Sequence, residues 1–428
     1  MAVLAEYDST RTSTVAVVAC LRGRNAPDRP HRRGRRRHRR SVLGHPTMDR
    51  SFTLTRAAGL ARLATVTPRL GRTYAAERNG DPGSDAETST TALSPYLRRR
   101  LITEAEVVTA ARETHGGAAE KFVSEVFWRT YFKGYLETHP TTWTDYLRLV
   151  AEGEARLAAN SGLRRTYENA IEGRTGIEGF DDWARELVEV GWLHNHTRMW
   201  FASIWIFTLR LPWELGAAFF LRHLLDGDPA SNTLSWRWVA GLHTRGKHYL
   251  ARAENIRRYT DGRYDPDGLD EQAKPLTEDD VARLEPLPSP DPTPAGKVAL
   301  LLHLDDLHPE SLPLERATVI RVGGLVAHVP GADERVRAAD IVAMEDALAR
   351  ASTHFGCPSE MISPGWSDSL PVISAWAPVG PSAEALPTGV LRVRRAWDEA
   401  AWPHATRGFF KLRSAIPEIL RTVGRQGD

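Results

Sequence analysis

The sequence predicts a mainly helical domain followed by a smaller α/β domain. Between Leu54 and about Tyr259, apolar residues recur three and four apart, the period of helices packed on one face. Asp265 to Ala295 is dense in proline and aspartate and reads as a connection. Beyond it, short apolar runs alternate with a long helical pattern, which predicts a small α/β unit. The boundaries that follow are 1–50, 51–266, 267–295 and 296–428.

Within residues 1–50 lies His31-Arg32-Arg33-Gly34-Arg35-Arg36-Arg37-His38-Arg39-Arg40, a run that repels itself and is expected to be disordered. It reads either as a nucleic-acid-binding arm or as sequence ahead of the true start, since Met48 stands just before the patterned region. Thr103 and Glu106 have capping-box spacing before Val107 and Val108. Ala119 to Leu136 and Asp181 to Val190 are amphipathic helices, the second stopped at Gly191. Pro212 suits the first turn of another helix. In the last domain Val298–Leu302, Ala317–Val322, Val372–Trp376 and Val390–Val393 are expected strands, and Ala338–Phe355 an expected helix.

With 42% hydrophobic and 26% charged residues among 428, the composition is that of a soluble globular protein with room for two or three cores. Cys20 and Cys357 form neither a disulfide framework nor a metal motif, which fits a reducing cytoplasm. Arg210, Pro212, Glu214 and Arg222 interrupt the apolar stretch Met199–Leu225, so buried helix is expected there rather than a membrane span. Val15–Leu21 follows acidic residues, which speaks against a signal peptide. Residues 1–47 hold eleven arginines and three acidic residues, a net of +8, which leaves −6 for the rest of a chain whose total is +2. Any nucleic-acid contact must therefore rest on local patches.

The segment from Gly191 to Trp238 places His194-Asn195-His196-Thr197-Arg198-Met199, Asp226-Gly227-Asp228-Pro229-Ala230-Ser231-Asn232 and Trp236-Arg237-Trp238 within or beside stretches too apolar for a surface. Polar groups buried there need partners, since leaving one unpaired costs about 1–3 kcal/mol. A cofactor with its own donors and acceptors would supply them. Upstream stand Thr90-Thr91, Leu93-Ser94-Pro95-Tyr96-Leu97 and Glu125-Val126-Phe127-Trp128-Arg129-Thr130-Tyr131.

These ordered motifs, over roughly Ser51 to Pro266, resemble the flavin-binding domain of the DNA photolyase and cryptochrome family. The resemblance implies FAD as cofactor. Its contacts would come from Tyr74, Thr90, Thr91, Leu93, Ser94, Arg129, Arg198, Asp226, Asp228 and Asn232. In this scheme Arg198 pairs with Asp226 beside the ring, Asn232 faces the flavin N5, and Thr90, Thr91, Ser94 and Arg129 serve the phosphates. Trp236 and Trp213 match two members of an electron relay. Asn160 stands near the third position, where Trp200, Trp205 or Trp183 is the candidate substitute.

The resemblance further implies a lyase that repairs cyclobutane pyrimidine dimers in damaged DNA, with an electron from reduced, light-excited flavin. Glu125 would bond the pyrimidine edge, Trp128 and Trp238 would stack on it, and Asn195 and Met199 would complete the pocket. The alternative is a cryptochrome-like blue-light photoreceptor that binds FAD without repair.

The chain departs from the family pattern at His196 (arginine expected), Phe122 (often tryptophan) and Thr208 (usually acidic). The antenna chromophore is undetermined, and the α/β segment after residue 295 is a candidate for the antenna-domain role in rearranged order. His303, Asp305, Asp306 and His308 match no standard metal spacing and are expected to be solvated side chains at a strand end, with no metal.

Overall fold

The computed structural model describes residues 52–83, 90–244, 246–278, 282–363, 366 and 369–424. The basic run at 31–40 lies outside them.

α1 (Arg56–Val66) starts at Thr55, whose hydroxyl accepts from the Ala58 N–H. After α2 (Arg72–Glu77) and α3 (Ser94–Arg98), α4 (Glu104–His115) opens on the expected capping box of Thr103 and Glu106. α5 (Glu120–Thr138), α6 (Thr141–Ala159), α7 (Ser161–Ile171) and α8 (Phe180–Val190) follow. α8 stops where Gly191 takes φ 74°, a left-handed geometry suited to glycine. α9 (Asn195–Ser203) runs into a π-helical turn at Ile204–Thr208, a break that periodicity does not show. Pro212 immediately precedes α10 (Trp213–His223), and α11 (Pro229–Ala240) and α12 (Ala253–Tyr259) complete the helical domain. Among the described residues no helix is long and apolar enough to cross a membrane.

The second domain is a parallel sheet of five strands in the order β3-β2-β1-β4-β5. β1 is Gly296–His303 and β2 Ala317–Leu325. α13 (Glu334–Phe355) begins four residues before the predicted helix, because the Asp333 side chain accepts from the Val336 N–H and caps it there. β3 (Ser359–Met361) escapes sequence reading, being three largely polar residues at the sheet edge. β4 (Val372–Ala375), α14 (Pro381–Ala385), β5 (Leu391–Val393), α15 (Ala396–Ala401) and α16 (Phe409–Gly424) end the chain's described part.

α5 is buried almost all round instead of along one face. One side meets the helical domain, and the other meets α15, α16 and the turn at Trp402–His404. Phe127 stacks on Trp397 with ring centroids 4.7 Å apart, and the Trp397 indole donates to the Thr130 hydroxyl at 2.9 Å. Gly134 permits this approach, since a Cβ there would sit 2.6 Å from the Trp402 ring.

In such a sheet the strand order reverses around β1, and the crevice beyond the carboxyl ends of β1 and β4 is the usual ligand position. Here the helical domain fills it. Arg98 donates to Asp305 at 2.9 Å, just past β1, and the Trp376 indole, just past β4, donates to Glu137 at 3.0 Å. Arg99 pairs with Asp340 at 2.5 Å, and Arg100 with Asp398 at 2.7 Å and Asp306 at 3.3 Å. His303, Asp305, Asp306 and His308 are therefore not solvated, as expected from sequence, but 6% exposed or less within this network. Nor is the connecting segment a free tether: the Glu285 N–H donates to the Thr138 carbonyl and the Asp291 N–H to that of Arg392.

Removing one member of a buried ion pair strands the other charge, at a cost of about 3–5 kcal/mol. Arg99→Ala is expected to destabilise the protein by that amount in denaturant unfolding. Arg99→Met combined with Asp340→Leu should cost less, because no carboxylate is then left without its arginine.

Candidate functional site

A cleft in the helical domain is lined by Tyr74, Arg78, Thr90, Thr91, Ala92, Ser94, Phe122, Glu125, Arg129, Trp192, Asn195, Arg198 and Asp226, among others. Its empty space is about 760 Å³ including the open mouth. α2 brings Tyr74 and Arg78 on adjacent turns, α3 brings Ser94, α5 brings Glu125 and Arg129 four apart, and α9 brings Asn195 and Arg198 three apart.

Arg198 grips Asp226 with two parallel bonds, Nη1–Oδ1 at 3.1 Å and Nη2–Oδ2 at 3.0 Å, and its Nε donates to the Leu193 carbonyl at 3.0 Å. Burial alone would raise the Asp226 carboxyl, but the Arg198 charge and bonds, with the Ser94 hydroxyl, hold it below the usual carboxylate range. Glu125, 5% exposed, stands between Arg78 Nε at 3.6 Å and Lys121 Nζ at 3.3 Å.

Several buried polar atoms in and beside the cleft find no hydrogen-bond partner among the described residues. They include Arg78 Nε, Arg129 Nη1 and Asn232 Oδ1. Arg129 Nη1 lies 3.9 Å from the Asp228 carboxylate, and the Asn232 amide is oriented by its donation to the Ala217 carbonyl at 2.8 Å. Such atoms are costly without a polar ligand, so guanidinium donors, three hydroxyls and a charge-neutralised carboxylate fit a dinucleotide with a diphosphate and a hydrogen-bonding ring. A second, more open depression of about 930 Å³ lies at Ile206–Glu214. Arg156 and Glu214 pair there at 2.5 Å, and among the described residues none of its lining side chains has a buried polar atom without a hydrogen-bond partner, so it makes no comparable demand.

Of the residues singled out in the sequence, Tyr74, Thr90, Thr91, Ser94, Glu125, Arg129, Asn195, Arg198 and Asp226 share this cleft. Leu93 is buried at the start of α3, between two lining residues. Asp228 spends its carboxylate on capping α11, accepting from the Ser231 N–H at 2.9 Å and hydroxyl at 2.5 Å. Met199 is buried on α9, and Trp238 packs on Tyr249 at 6.1 Å. Trp128 carries Phe409 of α16 on its ring face.

The ring neighbours of Trp236 are Phe201, Trp205 and Phe220, whereas Trp213 lies against Tyr146. Of the three candidate substitutes for the missing tryptophan, Trp205 is the one that touches Trp236, edge to face at 6.3 Å. Trp183 and Trp200 stack on each other. Asn160 caps α7.

Arg78, Trp192 and Ala92 line the cleft without having stood out in the sequence as site groups. Arg78's position four residues after Tyr74 on one helix face was the available signal. Ala92 has none, because its φ of 49° is visible only in the backbone. His196, in place of an arginine, is buried and hydrogen-bonded to the Asn79 carbonyl at 3.0 Å and the Tyr249 hydroxyl at 3.2 Å. Burial pushes its pKa down to about 4, so at neutral pH it offers no charge to a phosphate.

Residues 122–269 match the family described as the FAD binding domain of DNA photolyase. A deoxyribodipyrimidine photo-lyase of Streptomyces griseus is 34% identical over 241 residues, 50% of this chain and 50% of that protein. One from Thermus thermophilus is 32% identical over 213 residues, 49% of this chain and 48% of its own length. Among solved structures, a class III photolyase from Agrobacterium tumefaciens aligns over 49% of this chain and 44% of its own, at 25% identity and a TM-score of 0.41. The chain thus spans about half the length of the curated relatives it matches. Its helical part is similar to the FAD-binding domain of DNA photolyases.

Arg198→Ala is expected to leave Asp226 buried without its arginine and to lower the FAD content of the purified protein, read from flavin absorbance per chain. For His196, the folded pKa lies below the ordinary 6.5, so its contribution to stability is complete above pH 6.5 and is lost as pH falls toward 4. With each pH unit in that window worth about 1.4 kcal/mol, the whole loss amounts to about 3 kcal/mol. Thermal unfolding of His196→Gln should show a correspondingly flatter pH dependence than wild type over that window.

Proposed function

We propose that this chain repairs cyclobutane pyrimidine dimers in DNA, driven by light. The observation that supports this most is Glu125, a buried carboxylate beside a ring-sized cleft, flanked by Arg78 and Lys121 and sharing the cleft with Asn195. A carboxylate so placed accepts from the imide N–H of a pyrimidine, while the Asn195 amide can meet a neighbouring carbonyl. The two cations offset negative charge as it develops on the pyrimidine. Thr90, Thr91, Ser94 and Arg129 would hold the FAD phosphates, and the Arg198–Asp226 pair would sit beside its ring. When bound and reduced, FAD supplies the light-driven electron.

A blue-light receptor without repair is the second reading. Two observations favour it: the charge lost at His196 and the covered ring of Trp128.

The deciding experiment is incubation of the purified, chemically reduced protein with an oligonucleotide carrying one thymine dimer. Repair is expected in light and not in darkness. Glu125→Ala should lower the repair rate by about tenfold to a hundredfold, the worth of a hydrogen bond to a charged group, with FAD content unchanged. Parallel loss of flavin and repair would remove the assigned role of Glu125. No repair by a fully flavin-loaded wild type would favour the receptor reading.

A further inference from the structure

Phe409, the first residue of α16, stacks face to face on Trp128 with centroids 3.7 Å apart and planes 14° from parallel. It is 4% exposed. Trp128 stands on α5 beside two cleft residues, three after Glu125 and one before Arg129. Two further rings beside it, Tyr131 and Phe132, come from its own helix. Phe409 is thus the ring that a distant part of the chain lays on it.

α16 is held through Phe409, Leu412, Ala415 and Ile419 and is joined to the preceding turn by irregular backbone at 405–408. Its outer side presents Phe410, 72% exposed, with Arg407 and Lys411 also exposed. Phe410 directly follows the ring that covers Trp128 and stands between two cations in sequence, and an exposed aromatic with nearby cations is the chemistry of a single-stranded nucleic-acid contact. None of these α16 residues lies in the matched span 122–269.

We propose that Phe409 is a specificity-determining residue that occupies the stacking face of Trp128 until an unstacked pyrimidine of DNA displaces it, with Arg407 and Lys411 meeting the strand's phosphates. This rests on the reading of Trp128 as a pyrimidine-stacking wall. A tethered ring sets a threshold, because the affinity of any competing base is reduced by the fraction of molecules in which Trp128 is uncovered. A base still stacked in a duplex must also meet the cost of leaving its neighbours, whereas a lesion that stacks poorly meets less of it. The threshold therefore discriminates in favour of damaged or unpaired pyrimidines.

The test is dark binding of fluorescein-labelled single-stranded oligothymidine, with and without one thymine dimer, to the FAD-loaded full chain by fluorescence anisotropy. Phe409→Ala should bind the undamaged oligonucleotide about tenfold tighter than wild type, and adding Trp128→Ala should cancel the gain. Unchanged affinity, or a gain that survives Trp128→Ala, overturns the proposal. If Phe409→Ala does not fold, Phe409→Leu, which keeps bulk without a flat face, is read in the same way. In the wild type, saturating dimer oligonucleotide should speed amide hydrogen exchange in 409–419, and unchanged exchange in that helix counts against displacement. Light-driven repair by wild type, with no binding effect of Phe409→Ala, would leave the repair reading standing and remove this one. A Trp128-dependent gain in a protein that repairs nothing would do the reverse.

Discussion

Three consecutive buried arginines hold this molecule together. Arg98, Arg99 and Arg100 leave the end of α3 and reach Asp305, Asp340, and Asp306 with Asp398, all carboxylates of the α/β domain. Each of these arginines is 3% exposed or less, so separating the two sides would leave buried charges without their partners. Arg100 also adopts φ 50°, a conformation uncommon for a residue with a Cβ. Its bonds to Glu104, Asp306 and Asp398 maintain that conformation, and the turn it makes lets neighbouring side chains diverge to different partners. Ion pairs of this kind do more to fix one relative placement than to add net stability, because desolvation offsets much of their attraction.

That placement gives α5 two neighbours at once. Residues Phe122, Glu125, Val126 and Arg129 face the cleft, while Phe127, Thr130 and Gly134 take up Trp397 and Trp402 from the other domain. Any shift of the α/β domain therefore acts on the helix that carries Glu125 and Arg129. Burial pushes Glu137, near the end of the same helix, up to about 7, against the pull of the Val379 and Trp376 N–H donors that tie it to the sheet. The crevice where a sheet of this order usually takes a ligand is consumed by these contacts.

The cleft is built on different terms. The three interface arginines are paired with carboxylates, whereas in and beside the cleft Arg78 Nε, Arg129 Nη1 and Asn232 Oδ1 have no hydrogen-bond partners among the described residues. Buried groups in this state favour whatever ligand supplies the missing partners, and FAD, the cofactor of the domain family that residues 122–269 match, is a ligand of that kind. The Arg198–Asp226 pair is the exception within the cleft, complete before any ligand arrives.

Much of this was legible in the sequence. The capping box at Thr103, the stop at Gly191 and the motifs that gather Arg198, Asp226, Glu125 and Ser94 are local patterns, and local patterns report propensity and spacing directly. The alternation of strands after residue 295 likewise announced a sheet. What depends on distant partners was not legible. Asp305 and Asp306 looked solvated because their partners Arg98 and Arg395 lie some two hundred residues upstream and some ninety residues downstream, and His303 because its partner is the Ala375 carbonyl of β4. The Asp228 carboxylate caps a helix, Trp205 came to rest on Trp236, and Phe409 came to cover Trp128. Sequence alone indicated most of the elements and the candidate site residues, since those follow from short-range sterics and residue type. Only the tertiary structure decided which charges are neutralised and which rings are covered, because burial and Coulomb interaction depend on distance in space and not on distance along the chain.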